Sequence, residues 1–409
     1  MKILVLGTNF HPEVTGVAPL TTDLCDYLVQ QGHTVEVICT FPHYPEWAKR
    51  KENKWKIYDH HNYKGVTINR VWNYVPRRLN TITRVMYDTI ISFSFLIGSF
   101  FIHNKPKVIL AICSPLQVGF SAWIISKRFN VPFYFHLQDL IPESAANTGM
   151  IKNKYFIGII ENFAKFIYNK AAGISVIGHS FKETIIKLGV AANKISYLPN
   201  WVDTQWIKPL PKSKSYLKEL SIDSSKYIVM YIGNIGKKQD LITLAAAAGI
   251  LKSHDDIIFI IFGDGNNKKQ LVDYINKYSL NNILLYGVQS KSKLPVMLSI
   301  ADALVVLQKK EVINMVVPSK LLIYAASGKP IILAGNSNSE GSKFIVESNG
   351  GLLVEAENHY AVAEKIQSLK NSNNDGYSMH GRKYVEKRFS KELVLNDFEK
   401  HLLQYNNTK

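Results

Sequence analysis

The sequence predicts an α/β chain of two doubly wound domains joined by a linker. Three observations predict it. At 409 residues the chain exceeds what one compact core holds. Short apolar runs alternate with helical stretches twice over, first from Lys2 and again from Tyr227. The Pro199-Asn200 loop, with Pro209 and Pro211 beyond it, separates the two series. The expected bounds are 1–203 for the first domain, 204–224 for the linker, 225–385 for the second domain, and 386–409 for a terminal helix that packs back on the first.

The first series opens with the strand Lys2–Leu6, which enters the turn Thr8–Ala18 with Gly16 as its lone glycine. A helix follows from about Pro19 to Gln31, with Leu20, Leu24 and Leu28 on one face and Gly32 as its stop. Thr34–Cys39 is the next strand, and no Gly-x-Gly-x-x-Gly fingerprint stands between the two. Gly16 precedes a helix start, where an anion can approach the backbone; a plain turn is the other reading. Val85–Ile102 reads as an apolar helix, Val108–Cys113 as a strand, and Pro132–Leu137 as another. His136 lies inside that last apolar run and reads as a core histidine. Asp139 and Glu143 lie past its carboxyl end, where ligands of open parallel sheets bind. A carboxylate there orients a hydroxyl, accepts its proton or merely caps a turn. Ile151–Lys170 reads as an amphipathic helix, and Ala172–Ile177 and Ile195–Leu198 as strands.

In the second series Tyr227–Ile232, Ile257–Phe262, Asn282–Tyr286, Ala303–Leu307, Ile331–Leu333 and Gly350–Val354 read as strands. The turn Gly233-Asn234-Ile235-Gly236 with Lys237 and Lys238, ahead of a helix from Leu241, could cradle a phosphate. It is not a Walker loop, because no Gly-Lys-Ser/Thr follows. Val316–Leu333 reads as loop, helix, turn and strand. Pro318 suits the first helical turn, Ser319 can cap, and Gly328 ends the helix. Free N–H groups at that helix start, with Lys320 beside them, suit a phosphate; an ordinary αβ unit is the alternative. Tyr360–Leu369 and Tyr377–Tyr405 read as the closing helices.

The net charge of +17 implies an anionic partner: a nucleotide, a nucleic acid or a membrane face. Cations interleave with aromatics over Phe41–Lys56 and Arg70–Arg78. Without a DNA- or RNA-binding motif this mixture favours an anionic membrane surface over nucleic acid, a solvated basic face being the alternative. The most apolar run, Ile90–Ile102, is about two-thirds of a bilayer-spanning length, so the chain is expected to be peripheral, not integral. Its first strand is too short for a signal peptide. Cys25, Cys39 and Cys113 have no metal-ligand spacing and read as core residues in a reducing compartment, the cytoplasm.

Taken in order, Phe10-His11-Pro12-Glu13 with Gly16, Tyr44-Pro45-Glu46-Trp47, Gln138-Asp139, Pro199-Asn200-Trp201, Gly233-Asn234-Ile235-Gly236 with Lys238-Gln239, Gly263-Asp264-Gly265, and Val317-Pro318-Ser319-Lys320-Leu321 resemble the retaining glycosyltransferases of family 4 over the whole chain. The subgroup it looks most similar to is that of bacterial colanic acid fucosyltransferases and the N-acetyl-L-fucosamine transferases of O-antigen and capsule. The resemblance implies the GT-B fold, two Rossmann-like domains facing a central cleft. It implies a GDP- or UDP-sugar donor, a polyprenyl-diphosphate-linked saccharide acceptor, no cofactor and no metal, on the inner face of the cytoplasmic membrane. Asp139, Lys238 and Lys320 would be the catalytic residues. Gly16, Asn234, Gly263, Asp264, Val288, Ser319 and Glu340 would bind the donor, with His11 and Glu143 on the acceptor side.

Three positions depart from the family. The pair of glutamates common there is replaced by Met315 and Ile323, leaving the ribose contact to Glu340 or a backbone group. Asn234 stands where an arginine is common, leaving Lys238 and Lys320 to carry the phosphate charge. A sugar-nucleotide epimerase and an assembly partner without catalysis share the architecture and are the alternative readings.

Overall fold

The computed structural model describes residues 1–44, 46–78, 80–140, 154–312, 317–372 and 374–404. The chain divides into two compact units: Met1–Pro199 together with the chain from Leu395, and Asn200–Val394.

The first unit is built on one sheet with strands β1 (Lys2–Gly7), β2 (Thr34–Thr40), β3 (Tyr58–Tyr63), β4 (Val66–Val71), β5 (Val108–Cys113), β6 (Phe133–Leu137), β7 (Gly173–Val176) and β8 (Ile195–Tyr197). Their order is β3-β4-β2-β1-β5-β6-β7-β8, parallel except for β3, which pairs antiparallel with β4. The central strands β1 and β5 are buried along almost their whole length, which is why they read as unbroken apolar runs. The β3–β4 hairpin has no such run. Its Tyr-Asp-His-His-Asn-Tyr edge is polar and carries no strand signal in the sequence. The helices include α1 (Ala18–Gln30), α2 (Thr81–Gly98), α3 (Gln117–Phe129), α4 (Lys154–Lys170) and α5 (His179–Lys187). Asn80 caps α2 through the Thr83 N–H (2.9 Å), so the helix starts at Thr81, four residues before the expected Val85.

The second unit carries β9 (Tyr227–Ile232), β10 (Ile257–Phe262), β11 (Ile283–Tyr286), β12 (Ala303–Leu307), β13 (Ile331–Gly335) and β14 (Gly351–Glu355). All are parallel, in the order β11-β10-β9-β12-β13-β14. The order reverses between β9 and β12, and ligands of such sheets bind at that point. Both faces are covered. Ile228 and Met230 of β9 face a core with α6 (Lys214–Glu219), α9 (Leu294–Ile300), α10 (Ser319–Ala326), α11 (Glu340–Ser348) and α13 (Asp375–Arg388). Val229 and Tyr231 face the other core, with α7 (Leu241–Ile250), α8 (Lys268–Lys277) and α12 (His359–Lys370).

Two boundary expectations are corrected. The segment 204–224 is not a linker: Ile207, Tyr216, Leu217 and Ile222 are buried in the first of those cores. The proline pair that suggested an open connection instead packs, with Pro209 against Gly328. The closing helix is also not continuous. α13 ends at Arg388, residue 390 bridges to Val202, and α14 (Lys391–Leu403) starts anew. From Leu395 it belongs to the first unit, where Phe398 lies edge-on to Tyr134 and His136, and Glu399 meets His33 (2.8 Å) and Tyr27 (3.3 Å).

One cation ties the second unit together. The Arg382 guanidinium donates to the carbonyls of Thr204 (2.8 Å), Ile207 (2.6 Å) and Ala326 (2.5 Å), and to Glu386 (2.7 Å). Three main-chain acceptors from two segments therefore share one planar donor. Arg382→Ala is expected to destabilise the protein by about 2–4 kcal/mol, because three carbonyls lose their donor together. Urea unfolding checks this, and Arg382→Lys should recover only part of the loss.

Candidate functional site

The site of the second unit forms where β9, β10 and β12 end. β9 stops at Ile232 and the chain turns at Gly233, whose φ of +144° favours glycine. Gly263, at the end of β10, lies so close that a Cβ there would collide with the Gly233 carbonyl oxygen. The Ile235 N–H donates to Asp264 O (2.8 Å) and the Asn267 N–H to Ile235 O (3.0 Å), which locks the two glycine loops together.

Helix α10 supplies the cation. The terminal carbons and amine of Lys320 occupy the space beside Gly233 that any side chain there would fill. The amine donates to the Tyr231 hydroxyl and lies 4.0 Å from the centroid of that ring. Tyr231 in turn donates to Asn234 O (2.6 Å). One turn further along α10, the Tyr324 hydroxyl accepts from the Ile232 N–H (2.9 Å) and donates to Ile232 O (3.2 Å). Lys320 and Tyr324 thus fasten the first turn of α10 to the end of β9. Among the described residues no carboxylate pairs with Lys320, and burial pushes its amine down to about 7. Lys309, by contrast, is held by Asp240 (2.9 Å) and Glu357 (3.0 Å), and Lys268 by Asp264 (3.1 Å). Lys238 is exposed, also with no ion pair among the described residues; its backbone carbonyl accepts from the Lys309 N–H (3.1 Å).

The remaining residues of this unit fall around that centre. Asn234 is exposed on the glycine loop. Asp264 is exposed, and its carboxylate accepts from the Gly265 N–H (2.8 Å) and Lys268; those bonds hold it below the usual carboxylate range. Val288 is exposed beyond β11, two strands from β9. Ser319 is the exposed first residue of α10, but Pro318 holds the cap position and no side chain caps the helix, contrary to the capping role expected for Ser319. Glu340 is buried in the first turn of α11, 3.7 Å from Lys343. Its neighbour Gly341 abuts Pro318 and Leu321, so the starts of α10 and α11 lie side by side. Ile323 packs against the core of the unit, and Met315 lies outside the described residues.

In the first unit, Gly16 is exposed with φ +64° just before α1. The loop around it is held by Glu13, a buried carboxylate that the sequence reading left without a role. Its oxygens accept from the His43 and Tyr44 N–H groups (2.8 Å each) and from the Asn9 amide (2.7 Å). The His11 ring stacks on Tyr63 with centroids 3.8 Å apart. Burial, then the charges of Arg70 and Lys64, hold its imidazole below the usual histidine range. Arg70 is buried and donates to the carbonyls of Thr40 (3.1 Å) and His11. Asp139 follows β6, and its carbonyl faces the Cys113 thiol (3.8 Å). His136 is a satisfied core histidine, as expected: it bonds Ser175 (2.8 Å) and Gln138 (2.7 Å), and burial pushes it down to about 3. Glu143 lies outside the described residues. The missed pair Tyr231 and Tyr324 had a readable signal only in part, since Tyr324 stands four residues after Lys320, on the same helical face.

Residues 212–387 match the family described as glycosyl transferases group 1, and residues 15–201 match the glycosyl transferase 4-like domain. Each unit is thus similar to a glycosyltransferase domain, the second to those of group 1. WcaI of Escherichia coli K12, named for colanic acid biosynthesis, is 29% identical over 411 residues, covering 97% of this chain and 98% of its own. Among solved structures, sucrose-phosphate synthase of Thermosynechococcus elongatus superposes with a TM-score of 0.76 at 14% identity, covering 98% of both chains. HepE of Anabaena, in complex with UDP-glucose, superposes with a TM-score of 0.71 at 15% identity over 99% of this chain and 100% of that one. These glycosyltransferase neighbours share the GT-B fold of two Rossmann-like domains.

The Lys320 environment sets a pH dependence. An anionic diphosphate stabilises the ammonium form, whereas the free protein favours the neutral amine above about pH 7. A diphosphate bound there would therefore take up a proton above pH 7, and its binding would weaken by up to about tenfold per pH unit. Calorimetry between pH 6 and 9 in buffers of different ionisation enthalpy checks this, and Lys320→Ala should abolish the proton uptake.

Proposed function

We propose that this chain is a glycosyltransferase that moves a deoxysugar of the fucose or N-acetylfucosamine kind from a GDP- or UDP-sugar to a polyprenyl-diphosphate-linked saccharide. The product would be an exopolysaccharide, O-antigen or capsule repeat, built at the inner face of the cytoplasmic membrane. The observation that carries the reading is the Lys320 amine, held with no carboxylate partner among the described residues against the glycine turn where the strand order reverses. The near full-length similarity to WcaI supports the polysaccharide setting, and the UDP-glucose held by HepE supports a nucleotide-sugar donor.

In this reading the diphosphate lies against the Gly233–Gly236 turn, Lys320 and the start of α10, with Lys238 at its edge. Glu340, buried beside that start, takes the ribose in place of the absent glutamate. The C1–oxygen bond to the diphosphate breaks as the acceptor hydroxyl attacks the same face of the sugar. The acceptor proton passes to the departing phosphate oxygen, so configuration is retained and no metal is required. Lys320, Lys238 and the helix start stabilise the charge that develops on the leaving group. Asp139 and His11 position the acceptor.

Incubation with a panel of GDP- and UDP-sugars and a synthetic lipid-diphosphate saccharide, read by mass spectrometry, tests the assignment. Transfer is expected from a deoxysugar donor, and Lys320→Ala should lower turnover by at least about a hundredfold while the fold is kept. Wild-type turnover in that variant would overturn the role of Lys320. Conversion of the donor without acceptor would assign an epimerase instead.

A further inference from the structure

Helix α2 is built inside out. Its inner face buries Asp88, Ser92 and Ser94 next to Tyr87, Ile91 and Phe95, while its outer face exposes Ile82 (72%), Phe93 (60%) and Ile97 (62%). Phe100 continues the outer stripe at 67% exposure. The inward polar groups are used: Ser92 bonds Ser121 (2.6 Å) and Gln117 O (3.0 Å) of α3, and Asp88 pairs with Arg84 (3.2 Å). Residues Thr81–Phe101 are long and apolar enough to cross a membrane, which corrects the expectation of a run too short to span. Part of this helix is nonetheless packed within the unit, seated along α3 with its Gly98 resting on Val71 and Ile38. Beside its last turns lies an apolar groove of about 340 Å³, between Tyr58, Val71 and Trp72 on one side and Ser94, Ile97 and Phe101 on the other.

The surroundings are cationic. Lys49 lies over Trp72 (4.9 Å), Lys54 over Trp55 (5.4 Å) and Arg128 over Phe100 (4.4 Å). From Thr81 to Phe101 and along α3, the only carboxylate is the buried, paired Asp88. An apolar stripe with a rim of cations and aromatics matches the level of a bilayer where acyl chains meet anionic headgroups. A second copy of the chain matches it poorly, because a two-fold contact would set one basic rim against another at a net charge of +17.

We infer that the outer face of α2 docks on an anionic phospholipid leaflet, lying in its plane with Phe93, Ile97 and Phe100 among the acyl chains and the groove at Trp72 taking a lipid chain. The inference rests on the surface of α2 and holds independently of the donor chemistry.

Vesicle flotation with the full chain tests it. The wild type should float with phosphatidylglycerol–phosphatidylcholine vesicles, and less so as salt rises. Ile82→Asp/Phe93→Asp/Ile97→Asp should partition at least about tenfold more weakly, with UDP or GDP binding as the control for folding. Vesicles with brominated acyl chains should quench wild-type tryptophan fluorescence, and Trp72→Phe should remove much of that quenching. Absence of quenching in the folded wild type would overturn the proposal even if the triple variant does not fold. Unchanged flotation of the triple variant would also overturn it, as would a dimer that the triple variant dissolves without any vesicle binding by the wild type. Loss of nucleotide binding in the wild type would instead count against the transferase reading and leave the docking face untouched.

Discussion

No side chain fits at residue 263, because the carbonyl oxygen of Gly233 holds that space. Much of the second unit's chemistry depends on this contact. It lets the ends of β9 and β10 converge, and their loops exchange main-chain hydrogen bonds instead of leaving backbone groups unpaired. The turn at Gly233 then has a bare flank. Lys320 lies along it, with its amine against Tyr231. Tyr324 closes the arrangement by answering both the N–H and the carbonyl of Ile232. Among the described residues no carboxylate pairs with the Lys320 amine, and burial favours its neutral form. An anion arriving at the switch point of the sheet supplies the charge that favours the protonated form, which is the physical sense in which this site is prepared for an anion.

Much of the fold was legible in the sequence because parallel strands buried on both faces announce themselves as apolar runs. Val108–Cys113, Tyr227–Ile232, Ile257–Phe262 and Ala303–Leu307 stand where the runs place them. The β3–β4 hairpin was not legible, since an edge strand such as Tyr58–Tyr63 has polar neighbours and no run. The segment 204–224 was misread because prolines mark both open connections and packed turns, and only Pro209 against Gly328 distinguishes them. At the site, glycine turns and Lys320 could be read from spacing. The partners that give Lys320 its character could not, because Tyr231 is an ordinary apolar-strand residue until β9 and α10 are brought together. Likewise Glu13 gave no sign that its carboxylate would be consumed by the N–H groups of His43 and Tyr44, thirty residues away.

The two units spend polar residues differently. In the second, polar and charged groups gather at strand ends and most are answered locally, as Lys309 and Asp264 show. In the first, α2 turns two serines and an aspartate inward beside Ile91 and Phe95, and sends Ile82, Phe93 and Ile97 out, where a water-facing helix would carry polar side chains. The hydroxyls remain tolerable inside because α3 offers Ser121 and the carbonyl of Gln117 at matching heights. The outward residues have no such local answer.

The return of the chain at Leu395 has a consequence for synthesis. The first unit is discontinuous in sequence, with the whole of the second inserted between Pro199 and Leu395. Phe398, which lies against Tyr134 and His136, and Glu399, which meets His33, are made only after the whole of the second unit. The amino-terminal sheet must therefore wait, with that niche uncovered, until its successor has been translated. The unit begun first is closed only after the second has been made.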